Sequence, residues 1–179
     1  MPSPIAHAVS GYVLSELFPL KSRPFHQGKR YHWESFVAVF IAIAADFDFI
    51  PQLLTGERFH RGLTHTLLFT VGLSLVIGLL GSRFKKFSAQ KLIGWTLIIY
   101  GSHLLLDIFT AGGSGVQIFS PFSDVSIQSS LPLFPGVHHS RGLFDLSHLV
   151  FIGWELGYSG LVLAGLSFWK QTQSQKFVE

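Results

Sequence analysis

The sequence predicts an all-α, polytopic membrane bundle of four or five transmembrane helices. Three observations carry that prediction. Hydrophobic residues make up 48% of the 179 positions and charged residues only 13%, against about a quarter charged in an ordinary soluble domain. Apolar runs recur at the length of a bilayer core, which takes roughly 20 residues. The basic residues gather in alternate gaps between those runs, as loops on one side of a membrane do. Helix is preferred to strand because only helices and closed barrels satisfy their backbone in lipid, and these runs do not alternate as barrel strands would. The length fits one domain, 1–179.

The elements follow in order. Segment 4–20 is short and amphipathic, interrupted by His7, Ser10 and Glu16, and is expected either to span or to lie at the interface. It lacks the basic start of a cleaved signal peptide and reads as part of the mature fold. Segment 33–50 is nearly membrane-length and ends in Asp46 and Asp48, just before Pro51, a residue that disfavours helix in front of it. Segments 63–81, 91–109 and 149–169 are each long enough to cross. No internal repeat or low-complexity tract is evident.

Charge then orients the chain. Lys21, Arg23, Lys29 and Arg30 fill the first gap, Arg83, Lys85, Lys86 and Lys91 the third, and Lys170 and Lys176 follow the last run. Ten of the thirteen Lys and Arg therefore share one side, the cytoplasmic one under the positive-inside rule. A pI near 9.3 suggests nucleic acid at first sight, but this loop clustering argues against such a partner. The lipid bilayer is the partner expected.

Seven of the nine histidines and six of the ten acids fall in the segments brought to the opposite side. They are placed there by Lys and Arg alone, so the agreement is independent of their own chemistry. With no Cys in the chain, any metal must be held by nitrogen and oxygen. His103 and Asp107 stand at i and i+4, on one helix face. Asp46 and Asp48 flank Phe47, and for both to serve one site the helix must unwind there; one can bind metal while the other orients a ligand or water. His60-Arg61-Gly62-Leu63-Thr64-His65 offers imidazoles, a guanidinium for an anion, and a helix start whose free N–H groups attract negative charge. Buried ionisable groups in a membrane are costly and usually functional; the plainer reading of each motif alone is a capping acid, a solvated interfacial acid or a polar loop. Gly112-Gly113-Ser114-Gly115 reads as a turn or lid beside the site, too short for a nucleotide fingerprint. His138, His139, Arg141, Asp145 and His148 form a second polar group, equally readable as a solvated loop, and Glu155 falls on roughly the His148 face.

These residues carry a resemblance. His7 in an N-terminal helix, AADFDFIP at 44–51, HRGLTH at 60–65 and SHLLLDIFTAGG at 102–113 leading to SPF at 120–122 resemble the YdjM-like family of inner-membrane metal-dependent hydrolases, some of them LexA-regulated. The matching elements cover about the first two thirds of the chain. Phe49 stands where that family often carries a His after the second Asp. The order His, Asp, His, HxxxD is also distantly similar to zinc-dependent phospholipase C, without its later HxxxE.

The resemblance implies a membrane-bound hydrolase in which a metal-activated water attacks an ester or phosphoester, with a lipid or lipid-linked molecule as a candidate substrate. His7, Asp46, Asp48, His65, His103 and Asp107 are the expected ligands of one or two divalent ions. Zinc is favoured, with manganese or iron as alternatives. Asp48, Arg61 and His60 are the expected catalytic assistants, the spare Asp as base and Arg61 against developing negative charge. The site is expected to face the extracytoplasmic side of the inner membrane. The alternative is a non-enzymatic membrane protein with a structural or transport metal.

Overall fold

The computed structural model describes residues 4–20, 32–55, 61–84, 87–136 and 147–175. Its regular elements are all helical: α1 (Pro4–Leu17), α2 (His32–Ile43), α3 (Phe49–Thr55), α4 (Leu67–Phe84), α5 (Ala89–Ile108) and α6 (Ser147–Gln175), with one 3₁₀ turn at Ala44–Asp48 and another at Leu63–His65. Helices α4 and α5, and Leu149–Gln175 of α6, are long and apolar enough to cross a membrane. At 1.5 Å per residue, α1 and α2 reach roughly 20 Å, short of a bilayer core by themselves.

Small residues decide how the helices meet. The α1–α2 pair runs antiparallel, and a Cβ at Gly11 would lie 2.5 Å from the Ala42 Cβ. The α4–α5 pair is likewise antiparallel, and a Cβ at Gly78 would lie 2.2 Å from Ile93 Cγ1. Lipid supplies no hydrophobic drive between helices, so close backbone approach through small residues is what makes such packing favourable. Between the two pairs Ala38, Ile41, Ala42, Trp95, Ile99 and Tyr100 form the main core. Outside it, α4 turns Val71, Leu75, Val76, Leu79 and Leu80 outward, and α6 does the same with Leu149, Val150, Leu156 and Leu161. Apolar exposure on this scale is what lipid, not water, covers.

Helix α6 leans on α1. A Lys170–Glu16 ion pair joins their basic-side ends, and Ser10 Oγ lies 2.8 Å from Tyr158 Oη nearer the other end.

Two expected boundaries shift. Segment 33–50 does not end at Pro51. After Ile43 the helix tightens into the Ala44–Asp48 turn and then restarts as α3, with Pro51 in its first turn, where a missing N–H costs nothing. Segment 63–81 does not begin as one helix either. Thr66 is extended (φ −111°, ψ 154°) and caps α4 through its Oγ1, which accepts from the Phe69 N–H at 3.1 Å. The Leu67 N–H donates to the Ile118 carbonyl at 2.8 Å. The α4 N-terminus is thus largely closed, and it is not the open anion site the sequence suggested.

Beyond α5, residues 110–136 fold over the same end of the bundle without regular structure. Gly112, Gly113 and Gly115 take φ of 77°, 77° and 75°, a conformation glycine adopts without strain. Val116 and Ile127 exchange backbone hydrogen bonds at 2.9 Å, Ala111 donates to Phe134, and Ser129 to Ile108. The glycine turn is tied down, not a loose lid.

Candidate metal centre

Four parts of the chain converge, at helix ends and at the two 3₁₀ turns. His7 comes from the first turn of α1, Asp46 and Asp48 from the 3₁₀ turn after α2, His65 from the 3₁₀ turn before α4, and His103 and Asp107 from the last turns of α5. His7, His65, His103 and Asp107 are buried.

The two central histidines are oriented by their neighbours. His103 Nδ1 lies 2.7 Å from the Ala42 carbonyl oxygen. A carbonyl only accepts, so Nδ1 carries the proton and Nε2 presents its lone pair inward. His65 Nδ1 lies 3.1 Å from Asp48 Oδ2. That oxygen also accepts from Thr64 Oγ1 at 2.7 Å and from the Arg61 N–H at 3.1 Å. His65 Nε2 is therefore turned inward too. Histidine-bound metals are commonly supported in this way, by a carbonyl or carboxylate on the far ring nitrogen.

The inward atoms form a compact set. His65 Nε2 and His103 Nε2 are 3.2 Å apart. Asp107 Oδ2 is 3.3 Å from the first and 3.8 Å from the second. Asp46 Oδ1 is 4.0 Å and 3.6 Å from the same two atoms. Ligands about 2.0–2.2 Å from a tetrahedral ion stand roughly 3.3 Å apart, so these separations bracket that spacing. On the other side of Asp107, its Oδ1 lies 3.6 Å from His7 Nε2, and the His7 ring stacks on His103 with centroids 3.7 Å apart. Asp46, His65 and His103, and likewise His7, His103 and Asp107, could each hold an ion.

Two features make a cation the natural occupant. Two Nε2 lone pairs facing each other across 3.2 Å repel unless a proton or metal lies between them. Both ring nitrogens of His7 and both carboxylate oxygens of Asp107 are buried and make no hydrogen bond among the described residues. Burying a carboxylate costs several kcal/mol unless its charge is well compensated; Arg61 stands only at 3.9 Å, and a metal among the donors would compensate the charge directly.

Arg61 borders the set. Its Nε is 3.9 Å from Asp107 Oδ2, and its side chain is 13% exposed. It has φ of 62°, an uncommon conformation for a residue with a Cβ. That bend lets its N–H reach Asp48 while its guanidinium turns to Asp107 and to the Gly115 carbonyl at 3.4 Å.

Every expected ligand is thus in one place, but Asp48 stands behind His65 while the other five face inward. His60, His138, His139, Arg141 and Asp145 lie outside the described residues, as does the side chain of His148. Glu155 is buried in α6. Two supporting residues escaped the sequence reading. Thr64 holds Asp48, and Tyr100 Oη donates to the Thr64 carbonyl at 2.8 Å. Tyr100, His103 and Asp107 fall at i, i+3 and i+7, one stripe of α5, and that spacing was the available signal for Tyr100.

The YdjM inner membrane protein family matches residues 1–177, almost the entire chain. The protein belongs to this family. Among relatives, it is similar to inner membrane protein YbcI of Escherichia coli (strain K12), at 29% identity over 147 residues, covering 76% of this chain and 83% of that one. No solved structure matches the chain. Family and apolar helices agree on an inner-membrane protein in contact with the bilayer. In this YdjM-family chain the His/Asp groups that could hold a metal come from α1, α5 and the two 3₁₀ turns.

Proposed function

We propose that this YdjM-family protein is a membrane-bound metal-dependent hydrolase acting on an ester or phosphoester. The observation that carries the reading is the buried set of two imidazoles and two carboxylates, His65, His103, Asp46 and Asp107, with donor atoms at metal-ligand spacing and a further His7 on the free side of Asp107. Nitrogen and oxygen donors with two histidines favour zinc. A divalent ion held there would supply a water that ionises near neutral pH and positive charge for the oxygen of the bond to be cleaved.

The chain's own residues do the rest. His103 and His65 are locked as Nε2 ligands by Ala42 and Asp48. Asp48 serves as a positioning residue, since one of its oxygens already accepts from Thr64 and Arg61 and abuts His65. Of the two parts the sequence left open to Asp46 and Asp48, ligand and orienting residue, this reading gives Asp48 the second. Arg61, the most exposed of the group, is placed to hold a substrate anion and to oppose negative charge building during hydrolysis. The side bearing Arg83, Lys91 and Lys170 is the opposite end of the bundle, which supports an extracytoplasmic metal centre under the positive-inside rule. A reporter enzyme active only in the cytoplasm, fused within 82–91, is expected to be active; signal from an export-dependent reporter there would reverse the orientation.

One observation favours a second reading. Structural metal sites are closed, whereas catalytic ones keep a position open, and four donors here are nearly sealed from solvent. A purely structural ion is therefore the competing account. Purified protein should contain the metal under both readings, but hydrolyse phosphoester or lipid-ester substrates only under the first. Asp48→Asn separates positioning from ligation. It is expected to weaken metal affinity by about 10–100-fold, the usual cost of losing a residue that orients a ligand, without abolishing binding. Unchanged affinity by competition with a chromophoric chelator would show that Asp48 does not position His65.

A further inference from the structure

Helix α6 packs mainly on α1, and meets α5 chiefly through Tyr158, which packs against the cluster that includes Leu106. The gap left between α5 and α6, floored by α1, is a cleft of about 190 Å³. Its walls are Val13 and Leu14 from α1, Leu105 and Leu106 from α5, and Tyr158 and Val162 from α6. The only other lining residues are Ser10 and Ser102. Their hydroxyls are already engaged, Ser10 with the Ala6 carbonyl and Tyr158, Ser102 with the Ile99 carbonyl. The cleft therefore offers an apolar surface with no unmet polar demand.

Its position is informative. On α1, His7, Ser10 and Leu14 fall at i, i+3 and i+7, so the wall of the cleft leads up one helical stripe to His7. His7 in turn stacks on His103 and faces Asp107. On α5, Leu105 and Leu106 directly precede Asp107. From His7 to Leu14 the helix rises roughly 10 Å, so the cleft begins at the depth of the metal centre and runs inward along the bilayer. Leu105 is also half exposed on the outer surface of α5, which makes the cleft continuous with the face that meets lipid.

We infer that this cleft is a lateral entrance from the bilayer in which one acyl chain of a membrane phospholipid docks, holding its ester or phosphoester beside His7 and Asp107. The inference rests on the hydrolase reading and names its substrate class. The occupant follows from continuity with the lipid-facing surface: the medium at the mouth of the cleft is acyl chain, and the serine hydroxyls among the described lining residues are already hydrogen-bonded. Docking there exchanges apolar contact for apolar contact, while the headgroup gains Arg61 and the centre. The chain is thus a guide that sets which bond lies at the metal, not a source of tight binding.

The test uses the full chain in nanodiscs of phosphatidylglycerol and phosphatidylethanolamine that carry a diazirine at mid-acyl position. After photolysis, adducts are mapped by mass spectrometry. Labelling is expected to concentrate several-fold on the residues around Val13, Leu105 and Val162 relative to the outward Val71 and Leu75 of α4. Val162→Trp, which fills the cleft from a lipid-facing helix, is expected to remove the enrichment at Val13 and Leu105 and leave the α4 labelling intact. Uniform labelling of all lipid-facing helices, or enrichment that survives Val162→Trp, would overturn the inference. Metal content and hydrolysis of a soluble phosphoester, measured on the wild-type protein, score the hydrolase reading separately. Metal and hydrolysis without cleft labelling sink only the entrance. Cleft labelling without metal or hydrolysis sinks the hydrolase and leaves an acyl-chain site.

Discussion

Asp107→Asn is expected to abolish the metal binding proposed for this site, lowering affinity by well over the ~100-fold that losing a merely supporting residue can cost, and any hydrolytic activity with it. Asp107 is the carboxylate that faces all three buried histidines of the site. Its Oδ2 lies 3.3 Å from His65 Nε2 and 3.8 Å from His103 Nε2, and its Oδ1 lies 3.6 Å from His7 Nε2. Asparagine keeps the volume, so packing survives, but it removes the negative charge and places an amide where a ligand oxygen stood. Its N–H groups would point at ring nitrogens that should be binding an ion. Metal content by inductively coupled plasma mass spectrometry, with helical content followed by circular dichroism, checks the result. Wild-type stoichiometry in a folded Asp107→Asn protein would remove the metal centre as described and leave only a buried polar cluster.

Gly11→Val is expected to have a large structural effect outside the site. The new Cβ would sit 2.5 Å from Ala42 Cβ and 2.9 Å from the Ala38 carbonyl oxygen. The second neighbour is backbone and cannot swing away, so α1 must move off α2. Overpacking of this kind costs about 1–3 kcal/mol, occasionally more. It also acts at a distance, because His7 lies one turn from Gly11 and Ala42, at the contact, supplies the carbonyl that holds His103. Thermal unfolding in detergent should show a lowered Tm together with weaker metal binding. Gly94 is the control, since a Cβ there meets nothing within 4 Å, and Gly94→Ala should be neutral or slightly stabilising in mid-helix. Equal Tm values for the two variants would show that the α1–α2 contact is softer than its geometry implies.

How much of this was legible beforehand differs element by element. The helices α4, α5 and α6 were readable because membrane length and the cost of charge in lipid are properties of a run of residues, independent of neighbours. Their boundaries were less so. Thr66 looked like an interior residue of an apolar run, and only its extended backbone and its bond to the Phe69 N–H reveal it as a cap. Pro51 read as a stop because the chemistry of a proline in the first turn of a new helix is locally the same as that of a proline ending an old one. His103 and Asp107 were legible as a pair from helical spacing. Asp46 and Asp48 were legible as candidates, but not in their separate parts.

By itself, then, the sequence determined that this is a helical membrane protein and which histidines and aspartates lie at one end of it. Hydropathy and the Lys/Arg bias act along the chain, and depth in a bilayer is a one-dimensional quantity that a linear pattern can encode. Tertiary structure alone decided that His65 and His103 face each other across 3.2 Å, that Asp48 Oδ2 meets the far ring nitrogen of His65, and that α6 rests mainly on α1. Those are matters of angle around the helix axes and of distance between elements. They are set by how closely Gly11 and Gly78 let backbones approach and by where the two 3₁₀ turns redirect the chain.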